Sequence, residues 1–283
     1  MERYVNCIAH NSSEGNLLIG EEYTAMFDCG MAFCAETTVQ TVKNALNGRA
    51  IDYIFITHTH YDHIGALPLF RREWPAARLL TSEIGAAVLL KDTPRRIIRE
   101  LSAVAAASYG AGIVFDGDAF RADGIIKDGD IVPLGGLSVE VLETPGHTRD
   151  SLSFFVPELE LLILNETPGV LMPGGGIYPC YLTSYNDTVN SIEKCRRIPY
   201  KQLSLAHHGI VGHEDADGFF DKALSANIAC RDFIMSIKSL GEDEMLNAFY
   251  NKYGSETLSA YQPKEAFIAN ARATIACTLR TSS

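Results

Sequence analysis

The sequence lacks the features that would take it out of an aqueous fold. No stretch approaches the ~18 consecutive apolar residues that span a bilayer, and the opening MERYVNCIAHNSSEGN has no apolar core of the kind a secretory leader carries. A soluble, cytoplasmic protein with no membrane partner is expected. Positive charge is scarce: 24 Lys and Arg face 35 Asp and Glu, for a net charge of -11. Such a surface repels partners held through many phosphates, which argues against nucleic acid. The seven cysteines (Cys7, Cys29, Cys34, Cys180, Cys195, Cys230, Cys277) are odd in number and scattered, with no C-x-x-C pair, so they read as reduced, buried thiols and not as a disulfide frame. A G-x-S-x-G elbow, internal repeats and low-complexity segments are absent too.

What is present is a chain of 283 residues, 47% apolar and 21% charged, long enough for one large domain or a domain with an appendage. The first part alternates short apolar runs with turns: NLLIG, TAMFDCG, a helix-like ETTVQTVKNAL, then the strand IDYIFITH, giving the order β-β-α-β. LPLFRREW reads as a short helix, ARLLTS as a strand and EIGAAVLL as a helix. Residues 92–107 open with an Asp/Thr cap and Pro94 in the first turn, which predicts an inserted helix. A β-rich run follows through DIVPLGGLSVEVLETPGHT, SLSFFVPELELLILNE and QLSLAHHG. From about Asp217 the pattern is helical only, with Phe219, Ala223, Phe233, Ile237, Leu246, Phe249 and Tyr253 at helical spacings. Residues 1–216 are therefore expected to form a mixed α/β domain, and residues 217–283 a C-terminal helical extension.

The stretch THTHYDHIGALP packs three of the eight histidines and an aspartate into six positions, where a strand runs into a loop. Imidazole nitrogen and carboxylate oxygen are the ligands zinc prefers, and His58, His60, Asp62 and His63 converge only if the loop wraps around a small object. A metal ion is that object.

HTHYDH is similar to the H-x-H-x-D-H signature of the metallo-β-lactamase superfamily, and other stretches resemble that family's motifs in order. MFDCG looks like its strand ending in Asp-x-Gly, ETPGHTRDSLSF like its T-P-G-H-T-x-x-S, LLILNE like the strand that normally ends in Gly-Asp, and LSLAHHG like the last strand with its histidine. The resemblance implies an αββα four-layer sandwich with the site at one edge. It also implies two divalent metal ions, zinc by default with iron or manganese as other choices. His58, His60 and His147 would hold the first ion. Asp62, His63 and a terminal histidine, His207 or His208, would hold the second. Glu166 would bridge them, a departure from the family's usual aspartate. Asp28 is the candidate to orient a metal-bound imidazole through its far N–H. His10 and His213 read as ordinary loop histidines, Arg95, Arg96 and Arg99 as a solvated face. Tyr178, Tyr181 and Tyr185, after the loop Gly174–Gly176, line the substrate mouth or the core.

The chemistry so implied is a dinuclear metal-dependent hydrolase, using a metal-bound hydroxide on a small-molecule ester, thioester, lactone or phosphodiester, with Asp62 shuttling the proton. The alternatives are a di-iron oxidoreductase of flavodiiron type without its flavin domain, which this length does not house, and a non-catalytic metal-binding effector. The inserted helix and the tail are expected to cover the metals through Ile97, Leu101, Phe233, Ile237, Phe249 and Tyr253. A homodimer through the tail is the competing use of the same apolar residues.

Overall fold

Neighbouring side chains on a strand point to opposite faces, and in the central strands of this chain both faces are apolar. The computed structural model describes residues 3–10, 13–212, 216–254 and 263–281. Strands β1 (Tyr4–Asn6), β2 (Asn16–Ile19), β3 (Thr24–Phe27), β4 (Tyr53–Phe55), β5 (Arg78–Thr81) and β6 (Gly124–Ile125) lie side by side in that order. The pairs from β1 to β3 are antiparallel and those from β3 to β6 parallel. The second sheet contains β7 (Ile131–Pro133), β8 (Ser138–Glu143), β9 (Leu152–Val156) and β10 (Leu161–Ile163). A separate hairpin, β11 (Val170–Leu171) with β12 (Ile177–Tyr178), precedes its last strands, β13 (Gln202–Leu205) and β14 (Gly209–Val211). Its order is β14-β13-β10-β9-β8-β7, with β10 and β13 parallel.

The layers follow from alternation. Leu18, Phe27 and Phe55 face Val141, Phe154 and Ile163 between the sheets, and Phe27, Phe55 and Phe154 pack ring on ring at 5.0–5.3 Å. One residue away, Leu17, Met26 and Ile54 face outward onto helices α1 (Ala35–Leu46), α2 (Tyr61–Ile64), α3 (Leu67–Glu73) and α5 (Asp92–Ser108); the short α4 (Glu83–Leu89) joins the same layer through Leu89. On the far sheet, Phe155, Leu162 and Leu203 meet Ile192 of α6 (Tyr185–Arg196) and Phe219 and Ala223 of α7 (Phe219–Ser236). The result is helix, sheet, sheet, helix, a four-layer αββα sandwich. Two details differ from expectation. The strand β1 precedes the expected β-β-α-β start, and α5 is capped by Lys91 with no side-chain bond, so Asp92 lies inside the first turn, where it favours the positive end of the helix dipole.

The tail is helical as its periodicity predicts: α7, α8 (Glu242–Tyr253) and α9 (Lys264–Thr281). It shares a buried cluster with the body, where Cys230, Met245, Phe249, Phe267 and Ile275 close over Tyr178, Tyr181 and Tyr185. Tyr181 is fully buried and its hydroxyl bonds Thr278 Oγ1 at 3.0 Å. Phe249→Ala should therefore cost about 3–5 kcal/mol of stability in urea unfolding, as large core truncations do. A loss below about 1 kcal/mol would contradict this packing.

Candidate metal centre

Every candidate ligand hangs from a strand end or a first helical turn. Past β3, Asp28 takes a left-handed backbone (φ 57) and buries its carboxylate. The Thr57 N–H and hydroxyl donate to its two oxygens at 2.8 and 2.6 Å, which fixes the chain leaving β4. Thr59 N–H donates to Asp150 at 2.9 Å and Leu152 N–H to Thr57 O at 2.7 Å, pinning the loops of the two sheets together. His60 precedes α2, so Asp62 and His63 ride on that helix. His147 follows Gly146, whose φ is 144 and whose position would bring a Cβ to 2.1 Å from Thr188 Oγ1, so only glycine seats this turn against α6. Glu166 lies just beyond β10. His207 (φ 61) sits in the turn between β13 and β14.

These ends bring the ligand atoms into two groups, His58 with His60 and His147, and Asp62 with His63, Glu166 and His207, each within 4.8 Å of one another. Glu166 touches both. Its Oε1 lies 2.7 Å from His63 Nε2 and 2.9 Å from His207 Nε2, while Oε2 faces His58 Nδ1 at 3.5 Å and His147 Nε2 at 4.0 Å. The far nitrogens are anchored: His63 Nδ1 donates to Asp28 at 2.8 Å and His147 Nδ1 to the Cys180 carbonyl at 2.6 Å. Each aims its Nε2 inward, and His147 Nε2 meets His60 Nδ1 at 3.0 Å.

Among the described residues, His58 Nε2, Glu166 Oε2 and His207 Nδ1 are buried with no hydrogen-bond partner. Buried polar atoms are costly in that condition and rare. His58 and Glu166, both of types that bind zinc, iron or manganese, fit a divalent cation with these atoms, while His207 meets the site through Nε2. Charge tells the same story. Burial opposes protonation of His63, but Glu166 and Asp28 outweigh it and hold the ring well above its ordinary value. Burial likewise opposes a charged His207, but its hydrogen bond to Glu166 together with the charges of Glu166 and Asp62 outweighs that and raises it. Burial pushes the other imidazoles down, His58 far down, His60 less, His147 to about 4, with Glu166 only partly offsetting it. Burial raises Glu166, yet His58, His63 and His147 hold it well below the carboxylate range. The first group is thus neutral, ready to ligate, while the second group holds protons where a cation would sit.

Of the two terminal histidines, His207 belongs to the second group and His208 to neither; both line a further cleft of about 720 Å³ with Asn6, Met172, Gly174 and Lys222. His10 packs edge-on against Phe33 and Tyr109, and His213 lies outside the described residues. Arg95 donates to the Leu89 carbonyl at 2.5 Å, and Arg96 and Arg99 are exposed. A cavity of about 100 Å³ opens over His60, Asp62, His147, Glu166 and His207. Leu101 of α5 walls it as expected, but the tail contributes Ala266, Ala269 and Asn270 of α9. Ile97 is exposed, and Phe233, Ile237, Phe249 and Tyr253 pack in the cluster that the tail shares with the body; Val170, Tyr178 and Cys180 link that cluster to the cavity. Sequence reasoning also missed Glu14 and Cys180. A polar turn gives no signal of burial, and a backbone carbonyl none of the ring it will hold.

Two outcomes follow. Acidification should release metal from the second group before the first: His63 and His207 are raised, so as pH falls they take up protons first, and affinity there should drop about tenfold per pH unit for each competing proton. Metal titrations across pH would show it, and simultaneous loss of both equivalents would contradict it. Replacing Glu166 by Gln keeps shape but removes the shared anion, so second-site occupancy should fall by roughly tenfold or more while Glu166→Asp retains metal. Parental metal binding by Glu166→Gln would show that the carboxylate is a bystander.

The family profile described as the Metallo-beta-lactamase superfamily matches residues 16–207. Among relatives, the "Probable metallo-hydrolase YqgX" of Bacillus subtilis is 29% identical over 166 residues, 55% of this chain and 67% of its own length. "Coenzyme F420H(2) oxidase" of Methanothermobacter marburgensis is 29% identical over 157 residues, 55% of this chain but 32% of the oxidase. The solved structure of a metallo-beta-lactamase family protein from Thermus thermophilus superposes with a TM-score of 0.65 over 100% of this chain and 94% of its own, at 18% identity, a likeness of fold alone. With a match that runs from β2 through every strand end described above to His207, the chain belongs to the metallo-beta-lactamase superfamily.

Proposed function

We propose that this chain is a dinuclear metal-dependent hydrolase of small esters, thioesters, lactones or phosphodiesters. The observation that carries the reading is the Glu166 carboxylate, whose two oxygens face the two ligand groups from between them. His58, His60 and His147 would hold one ion, Asp62, His63 and His207 the other, with Glu166 shared. Two divalent cations held there, zinc by default, would supply hydroxide at neutral pH and polarise the substrate's carbonyl or phosphoryl oxygen.

The protein's own groups do the rest. Asp28 and the Cys180 carbonyl take the Nδ1–H of His63 and His147, so Nε2 is the nitrogen each ring would offer to a cation, which on His63 would displace a proton, and the imidazoles do not rotate as charge moves. Asp62 lines the cavity, 3.7 Å from His207 Nε2, with the most exposed side chain of its group at 18%. It is placed to accept the proton that a water gives up on becoming a nucleophile and to return it to the leaving group. Leu101, Val170, Tyr178 and Ala266 give the same space its apolar walls. At about 100 Å³ the cavity is well under the ~300–1,000 Å³ of pockets that take drug-sized ligands, so the group next to the reacting atoms must be small.

A second reading, a di-iron oxidoreductase that takes electrons from a separate flavin-bearing partner, draws on the similarity to the F420H(2) oxidase and on a cavity small enough for a diatomic gas. Metal analysis beside a panel of acyl esters, thioesters, lactones and a phosphodiester of increasing chain length separates the two. The hydrolase reading expects turnover that is lost on chelation, falls as the acyl group lengthens, and drops by about 10²-fold in kcat in Asp62→Asn at saturating metal. Oxygen consumption by iron-loaded protein with reduced flavin, and no hydrolysis on the panel, would replace it.

A further inference from the structure

A buried carboxylate outside both ligand groups stands behind the second one. Glu14 is 3% exposed, and among the described residues no Lys or Arg pairs with it. Its Oε2 accepts the His207 backbone N–H at 2.5 Å, and its Oε1 accepts Asn16 Nδ2 at 2.7 Å. Asn16 Oδ1 in turn accepts the Tyr4 hydroxyl, which also lies 2.9 Å from Ser204 Oγ on β13. A hydrogen-bonded chain thus runs from β1 through β2 to the turn that carries His207.

That turn needs support. Leu205 pairs with Gly209, so Ala206, His207 and His208 alone reverse the chain, and His207 does it with a left-handed backbone that side chains rarely adopt. Which of the two adjacent imidazoles enters the site is decided by this one residue's conformation. With φ at 61 the His207 ring reaches Glu166, while His208 lies outside both ligand groups. An N–H held by a buried acceptor cannot swing into the extended conformation without leaving that acceptor unsatisfied.

We propose that Glu14 is a positioning residue of the second metal site: its carboxylate locks the His207 turn through the backbone N–H and so selects His207 over His208 as the inward ligand. The proposal rests on the reading of the two groups as metal sites, and its test reads metal binding instead of turnover. In Glu14→Gln the side chain has one acceptor oxygen for two donors, so an amide N–H is set against another donor.

The test titrates cobalt(II) into apo-protein, following the visible spectrum and the stoichiometry. Glu14→Gln should weaken the second equivalent by roughly 10- to 100-fold, the range for residues that orient ligands, and leave the first within about threefold of the parent. Glu14→Asp keeps the charge but draws the oxygens back by a methylene, and should weaken the same equivalent. The double exchange Glu14→Gln with Asn16→Asp restores every bond, with donor and acceptor reversed between residues 14 and 16 alone, and should restore the second equivalent and its spectrum. The unchanged first equivalent reports an intact fold. Parental second-site affinity in Glu14→Gln, or a double exchange that binds the first equivalent but not the second, overturns the proposal and leaves the metal reading standing. A parent that binds no cobalt overturns both.

Discussion

A carboxylate buried among four imidazoles sets the terms for the whole edge of this sandwich. Glu166 is 3% exposed, and taking its charge out of water is affordable only where opposite charge and hydrogen bonds surround it. The chain surrounds it with His58 and His63 from the exit of β4, His147 from the turn before β9, and His207 from the turn after β13. These positions are far apart in sequence and meet only if both sheets end at the same level. The pleat provides this, because alternate residues of each strand lock the sheets face to face through Phe27, Phe55 and Phe154.

The level is then held by polar bonds that an apolar core cannot supply. Asp28 ties Thr57 to His63, Asp150 ties Thr59, and Leu152 N–H reaches across to Thr57. Each bond is buried, each joins segments of different strands, and each would leave an unsatisfied group if its loop moved. The same edge is therefore rigid where ligands are presented and lined by small side chains of α9 where a substrate would enter.

Much of this was legible in the sequence. His58, His60, Asp62 and His63 announce themselves because ligand types rarely crowd at a strand exit for any other reason, and the short apolar runs of β2, β3, β4 and β9, buried on both faces, mark the central strands. The choice between His207 and His208 was not legible, since both follow the same strand and one backbone angle separates them. Glu14 was hidden for a different reason. The run SSEGN reads as a surface turn, and its burial arises only when β1, β2 and β13 close over it. The site wall contributed by the tail escaped as well: large apolar residues signal packing, and those of α7 and α8 serve the cluster that the tail shares with the body, whereas Ala266 and Ala269 carry no pattern of their own.

The central claim is that one shared carboxylate organises two cations at this edge. Diffraction from metal-loaded crystals, with data collected on both sides of the metal absorption edge, tests it most directly. The account predicts two anomalous peaks about 3.5–4 Å apart, the spacing of two-metal hydrolytic sites, one among His58, His60 and His147 and one among Asp62, His63 and His207, with Glu166 reaching both. A single peak, or a pair from which Glu166 is turned away, would contradict it.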